Sequence, residues 1–225
     1  MKAAFVQLPA KPKQRVRKIF NVLSGVYGKP STMLRHDNAF ELLAATILSA
    51  QCTDIRVNQV TPELFSLFPT PASMAKARQS DVERIIHSTG FFRAKARHLI
   101  AASRMITEEF KGIVPDTIDA LTRLPGVGRK TANCVLVNAY GKPGITVDTH
   151  VGRLSRRLGF TTHTSPVKVE ADLSLLWTMG IRSDFSMLLI SHGRSVCRSR
   201  KPDCVNCVIN HLCPTNDFSA SAPEE

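Results

Sequence analysis

The chain is 225 residues long, 43% of them hydrophobic, and its 30 Lys and Arg against 18 Asp and Glu give a net charge of +12 and a pI of about 9.8. That length holds one large or two small domains with ample core, and the basic excess points to a polyanionic partner. No apolar run reaches spanning length and no basic helix carries a one-sided apolar face, which sets a membrane aside as that polyanion.

The first 36 residues contain eight Lys or Arg and no acid, among them Lys11, Lys13, Arg15, Arg17 and Lys18. No apolar core follows them as a secretion signal requires, and an organellar presequence stays open but finds little support in a segment that is not Ser-rich. It reads as an arm or first helix facing nucleic acid, and the expected location is the cytoplasm, at the nucleoid if the source is bacterial. From Asn38 the chain becomes a succession of short helices with almost no strand-like alternation, so the fold class is all-α. Asn38 followed by Glu41 predicts a cap for a helix carrying Leu42, Leu43, Ile47 and Leu48. That helix runs out into Ser49-Ala50-Gln51-Cys52-Thr53-Asp54, a polar break before a helix with Val57, Val60, Leu64 and Leu67. Pro62 is expected near the start of this helix, and Pro69 and Pro71 at its end. A short helix around Val82 to Ile86 leads to Ser88-Thr89-Gly90-Phe91-Phe92-Arg93, a turn with two aromatics at its tip. By residue type the aromatics belong to the core; on a loop of a DNA-binding protein an aromatic can instead wedge between bases. The next helix spans about Ala94 to Phe110.

The run Leu124-Pro125-Gly126-Val127-Gly128-Arg129-Lys130-Thr131-Ala132 comes after it. Pro125 restricts the residue before it, and two glycines two apart open backbone conformations closed to other residues, so the run reads as a tight hairpin. From Arg129 the pattern is helical again, with Ala132, Val135, Leu136 and Ala139 on one face. The hairpin therefore opens onto a helix N-terminus, where unpaired N–H groups and the dipole suit a phosphate. Lys130 lies in the first turn of that helix, and an amine so placed beside a phosphate site is a candidate nucleophile. The competing reading is an ordinary helical hairpin with a solvated lysine. Asp148, within Gly144-Ile145-Thr146-Val147-Asp148-Thr149-His150-Val151, precedes the apolar series Val151, Leu154 and Leu158 as an N-cap would. A carboxylate held on a cap can also act as general base or as counter-charge to a cationic transition state.

Cys197, Cys204, Cys207 and Cys213 are spaced C-x6-C-x2-C-x5-C within seventeen residues. Without a secretion signal such a cluster favours metal over disulfides. Four thiolates suit tetrahedral zinc and iron-sulfur cubanes alike, and the spacing leaves that choice open. Cys52 and Cys134 lie elsewhere and read as small buried apolar side chains.

Together LPGVGRKTA, then VDTHV with Asp148 eighteen residues after Lys130, then HGR and the cysteine cluster resemble the endonuclease III family of bifunctional DNA glycosylases and AP lyases, within the helix-hairpin-helix superfamily. The likeness runs from about Gln14 to Pro214. It implies two helical domains flanking a DNA-binding groove. One is a six-helix barrel with the helix-hairpin-helix over 32–142, and the other a discontinuous domain of 1–31 plus 143–225 holding a [4Fe-4S] cluster on the four cysteines. It implies a monomer acting on double-stranded DNA that contains damaged bases, mainly oxidised pyrimidines, or abasic sites. Lys130 matches the nucleophile that forms a Schiff base at C1′, and Asp148 the assisting carboxylate. An imine acidifies the C2′ proton, so the 3′ phosphate then leaves by β-elimination. Gln51 matches a glutamine that fills the gap left by the extruded base. Phe91 stands at the wedge position where many members have leucine, and Cys52 where alanine is usual. Gly126 and Gly128 belong to the DNA-binding hairpin, and Arg198, Arg200 and Lys201 to a basic loop held against phosphate by the cluster. A monofunctional adenine or mismatch glycosylase usually lacks the lysine matched by Lys130, and the adenine-specific branch has a glutamate where this chain reads Ala45-Thr46-Ile47. A non-enzymatic cysteine-cluster DNA-binding protein would need neither Lys130 nor Asp148.

Overall fold

The structure is a computed structural model that describes residues 12–28 and 32–215; Lys11 of the basic arm lies outside the described residues. Among the described residues every regular element is helical. The chain divides into two compact units, Thr32–Lys142 and, from both ends of the chain, Met1–Ser31 with Pro143–Glu225.

The unit Thr32–Lys142 is built around α2 (Ala39–Leu48), in which every residue from Leu42 to Leu48 is buried. Asn38 Oδ1 accepts from Glu41 N at 3.0 Å, and the Glu41 carboxylate accepts from Asp37 N at 2.8 Å, which fixes where the helix begins. α3 (Asp54–Leu67) starts on Thr53, whose hydroxyl accepts from Arg56 N. Because the helix begins at Asp54, Pro62 falls in its middle and not near its start, on the exposed face. Pro71, expected to stop that helix, opens the next one. It sits at the first position of α4 (Pro71–Ala75), where its missing N–H costs no helical bond, and Thr70 and Ser73 form a reciprocal capping box. α5 (Gln79–Ile86) runs into a 3₁₀ turn, His87–Thr89, and α6 (Phe92–Glu109) begins two residues earlier than the periodicity suggests. α7 (Ile118–Arg123) and α8 (Arg129–Tyr140) close the unit, with α8 packed on α2. Six of these helices have six residues or more; α4 is the short seventh. Leu43, Leu48, Val57, Leu64, Met74, Ile86, Leu99 and Ile106 make one continuous core.

The second unit joins α1 (Pro12–Tyr27) to α9 (Thr149–Arg157), α10 (Pro166–Leu176) and α11 (Arg182–Ser195). Val16, Ile19 and Leu23 form the buried stripe of α1, which packs on α11. Phe20, Phe160 and Trp177 surround Phe185, with ring centroids 4.6 to 6.2 Å from it. Lys13, Arg17 and Lys18 are exposed, as an arm facing nucleic acid requires, but Arg15 is not. Only 6% exposed, it donates to the Leu212 carbonyl at 3.3 Å and its guanidinium lies 5.9 Å from the Phe160 ring centroid. Position Arg15 falls on the apolar stripe with Val16 and Ile19, so its charge is spent inside the unit.

Candidate active site

In Thr32–Lys142 the chain leaves α7 at Leu124, turns through Pro125–Gly128 and enters α8. Gly126 has φ +79, and a Cβ there would stand 2.8 Å from His98 Cβ, so this position requires glycine twice over. Gly128 differs from the sequence expectation. Its φ of −90 is open to any residue and a Cβ would meet nothing within 4 Å. What glycine offers at Gly128 is access from outside. As the N-cap of α8 it has no side chain to bond the first-turn N–H groups, whereas α2, α3 and α9 are capped by Asn38, Thr53 and Asp148. The α8 N-terminus thus has no side-chain cap at an exposed turn, with Lys130 exposed in its first turn. One turn further in, the Cys134 thiol is pushed up by burial, against the opposing pull of the Lys130 charge and of hydrogen bonds from Thr46 and Asn138. Cys134 is half-buried rather than a core residue as the sequence suggested, and its thiol stays protonated.

Gln51 and Phe91 occupy two other loops of this unit. Both are exposed, and both hold left-handed backbone, with φ +54 and φ +48. For residues with a Cβ this conformation costs about 1–2 kcal/mol each. Phe91 is 67% exposed, which overturns its assignment to the core by residue type; Phe92 is half-buried against the core and takes that place alone.

Asp148 lies in the other unit, at the start of α9. Its Oδ1 accepts from Val151 N at 2.8 Å, so the carboxylate is half-buried and oriented by the helix it caps. The same helix reaches the cysteine loop through two arginines four residues apart. Arg153 donates to the Gly193 and Cys197 carbonyls at 3.0 and 2.9 Å. Arg157 donates to the carbonyls of Arg198 and Ser199 at 2.8 and 3.0 Å and approaches Cys197 Sγ at 3.2 Å. Arg198, Arg200 and Lys201 are exposed, and Lys201 has φ +50. The backbone of this basic loop is therefore gripped by α9, leaving its own charges to the outside.

Cys197, Cys204, Cys207 and Cys213 line one cavity of about 290 Å³ within the second unit, together with His192 and Arg157. Among the described residues no three His, Cys, Asp or Glu side chains converge as a single ion demands. Four thiols around one chamber fit a thiolate-bound group, and that donor set is common to zinc and iron-sulfur clusters. Burial pushes the Cys207 thiol up to about 11, so an occupant must displace its proton. His192, 1% exposed, is held down to about 4 by burial and is neutral; its Nε2 lies 3.4 Å from Cys207 Sγ and its Nδ1 3.0 Å from the Tyr27 hydroxyl.

Sequence reasoning missed Arg153, Arg157 and His192 as parts of this site. The i, i+4 spacing of the two arginines on a short capped helix was the available signal, since it puts both on one face.

Residues 44–179 match the family model of HhH-GPD superfamily base excision DNA repair proteins. The endonuclease III of Synechocystis sp. is 49% identical over 211 residues, covering 93% of this chain and 96% of the relative. A non-covalent endonuclease III-DNA complex superposes with a TM-score of 0.84 at 40% identity, covering 89% of this chain and 94% of its counterpart. A trapped covalent endonuclease III-DNA intermediate gives the same TM-score and identity over 89% of this chain and 95% of the other. A helical fold, a helix N-terminus that no side chain caps, bearing a lysine after a glycine hairpin, and this degree of likeness lead to one assignment: the chain belongs to the endonuclease III family, within the HhH-GPD superfamily of base excision DNA repair proteins.

Proposed function

We propose that the protein is a DNA N-glycosylase and AP lyase that removes oxidised bases, mainly pyrimidines, from double-stranded DNA, with Lys130 as nucleophile. The observation that carries this reading is the exposed Lys130 in the first turn of α8, next to N–H groups that no side chain caps. A phosphate bound by those groups brings the neighbouring sugar to the amine. Lys130 Nζ attacks C1′ as the N-glycosidic bond breaks, and the base leaves with its electron pair and a proton. Ring opening yields an iminium between Lys130 and C1′, which acidifies C2′. Loss of the C2′ proton expels the 3′ phosphate by β-elimination, and water then releases the amine and an unsaturated aldehyde. Asp148 opposes the positive charge that develops on the sugar or moves a proton there, and its cap bond holds it oriented for the task. Gln51 and Phe91 enter the duplex where the base has left, and Gly126, Gly128, Arg198, Arg200 and Lys201 contact phosphate. The four cysteines would hold a [4Fe-4S] cluster, which would close the loop from Cys197 to Cys213.

Borohydride trapping on abasic duplex tests the nucleophile. Lys130→Gln keeps most of the side-chain length and its hydrogen bonding, so it is expected to lose both base release and strand cleavage and to form no adduct, while still binding the duplex. An adduct at normal yield would move the nucleophile to another amine, and a wild-type chain that binds abasic DNA but never traps would leave only a binding protein.

A further inference from the structure

Lys95, on the first turn of α6, is 4% exposed, an unusual place for an ammonium. Its Nζ donates to two backbone carbonyls, Leu48 O and Thr89 O, each at 2.8 Å. Leu48 is the last residue of α2 and Thr89 the last of the 3₁₀ turn. Both carbonyls belong to helix ends, where acceptors lack intrahelical partners and a cation is favoured. Burial lowers the pKa of Lys95, so the charge is kept against a cost that an apolar side chain of the same length would avoid.

Each of the two carbonyls stands just ahead of an exposed loop residue. Three residues after Leu48 comes Gln51, and two after Thr89, past Gly90 at φ +70, comes Phe91. Both are left-handed, a conformation that persists only where its surroundings enforce it. One ammonium thus anchors the roots of both loops from beneath. We propose that Lys95 is a positioning residue that couples Gln51 to Phe91, so that the two side chains enter the opened duplex as one rigid, two-pronged element. The proposal rests on the reading above, in which these two loops meet DNA. Coupling through a shared anchor fixes the separation of the prongs, and with it the geometry of the opening that the enzyme accepts.

A triple-mutant cycle tests it, with excision rates measured on a duplex containing an oxidised pyrimidine. In the wild-type background Gln51→Ala and Phe91→Ala should each slow excision, and the double variant should be faster than the product of the two losses by roughly tenfold. In the Lys95→Met background that excess should vanish, leaving the two losses multiplicative. A lysine that only stabilised the fold would scale all four rates alike and leave the tenfold excess in place, which would overturn the proposal. Gln51→Ala and Phe91→Ala that each excise at the wild-type rate would instead overturn the assignment of these loops to DNA. Should Lys95→Met fail to fold, Lys95→Gln carries the same cycle, because its shorter side chain cannot span both carbonyls, and the same loss of the excess is expected.

Discussion

The Asp148 carboxylate caps α9 and, in the proposed mechanism, also opposes the charge on the sugar, and substitution can separate the two roles. Asn is as good a helix cap as Asp, so Asp148→Asn should keep the bond to Val151 N and leave thermal stability close to wild type. Base excision should nonetheless slow by roughly two to four orders of magnitude, because the charge opposing the cationic sugar is gone. On a preformed abasic site the base is already absent, and the same variant should retain more lyase than glycosylase activity. Asp148→Ala removes cap and charge together and should cost about 1 kcal/mol of stability in addition. Excision at an undiminished rate in Asp148→Asn would reduce the residue to its structural role.

At the scale of elements, the hairpin between α7 and α8 contains two glycines with opposite reasons for being there. Gly126→Ala forces a left-handed residue and sets its methyl against His98, and should destabilise the protein by about 2–5 kcal/mol. Gly128→Ala meets no such obstacle and should cost about 1 kcal/mol or less, as a weaker cap. Its methyl stands where a phosphate must approach the first-turn N–H groups, so affinity for an abasic-analogue duplex should fall at least about tenfold. Unchanged affinity in Gly128→Ala would rule out the turn as the phosphate site. This hairpin was legible from sequence because everything it needs is local: proline, glycines and the onset of a 3.6-residue period. The caps at Asn38 and Asp148 were legible for the same reason. Arg15, Lys95 and Arg157 were not, because each is held by carbonyls distant along the chain or in another element, at Leu212, at Leu48 and Thr89, and at Arg198 and Ser199. A carbonyl is common to all residues and leaves no mark in the sequence that names it as a partner. Helix α11 was illegible in another way. Phe185, Ser186, Leu188, Leu189, Ile190, His192 and Gly193 are all buried, so it offers no apolar stripe with a polar back.

Over the whole molecule, the cysteine loop does more than fasten itself. Leu212, just before Cys213, supplies the carbonyl that receives Arg15, and Tyr27 meets His192 beside Cys207. Cys204→Ala should therefore lose bound iron and speed amide exchange not only over the loop but also along α1, at the other end of the chain. Exchange confined to the loop would separate α1 from it, and metal analysis finding zinc without iron in the wild type would replace the cluster with a single ion. The same joining of the chain's two ends bears on how the protein is made. Helix α1 leaves the ribosome before Thr32–Lys142, yet α10 and α11, which pack on it, emerge only after that unit has passed. At ordinary rates of synthesis the delay is on the order of ten seconds, long enough for the intervening unit to close upon its own core. Through that interval Val16, Ile19 and Leu23 wait in the company of Lys13, Arg17 and Lys18, whose charges keep a nascent apolar stripe from finding the wrong neighbour. A helix made before Thr32–Lys142 is completed by helices made after it.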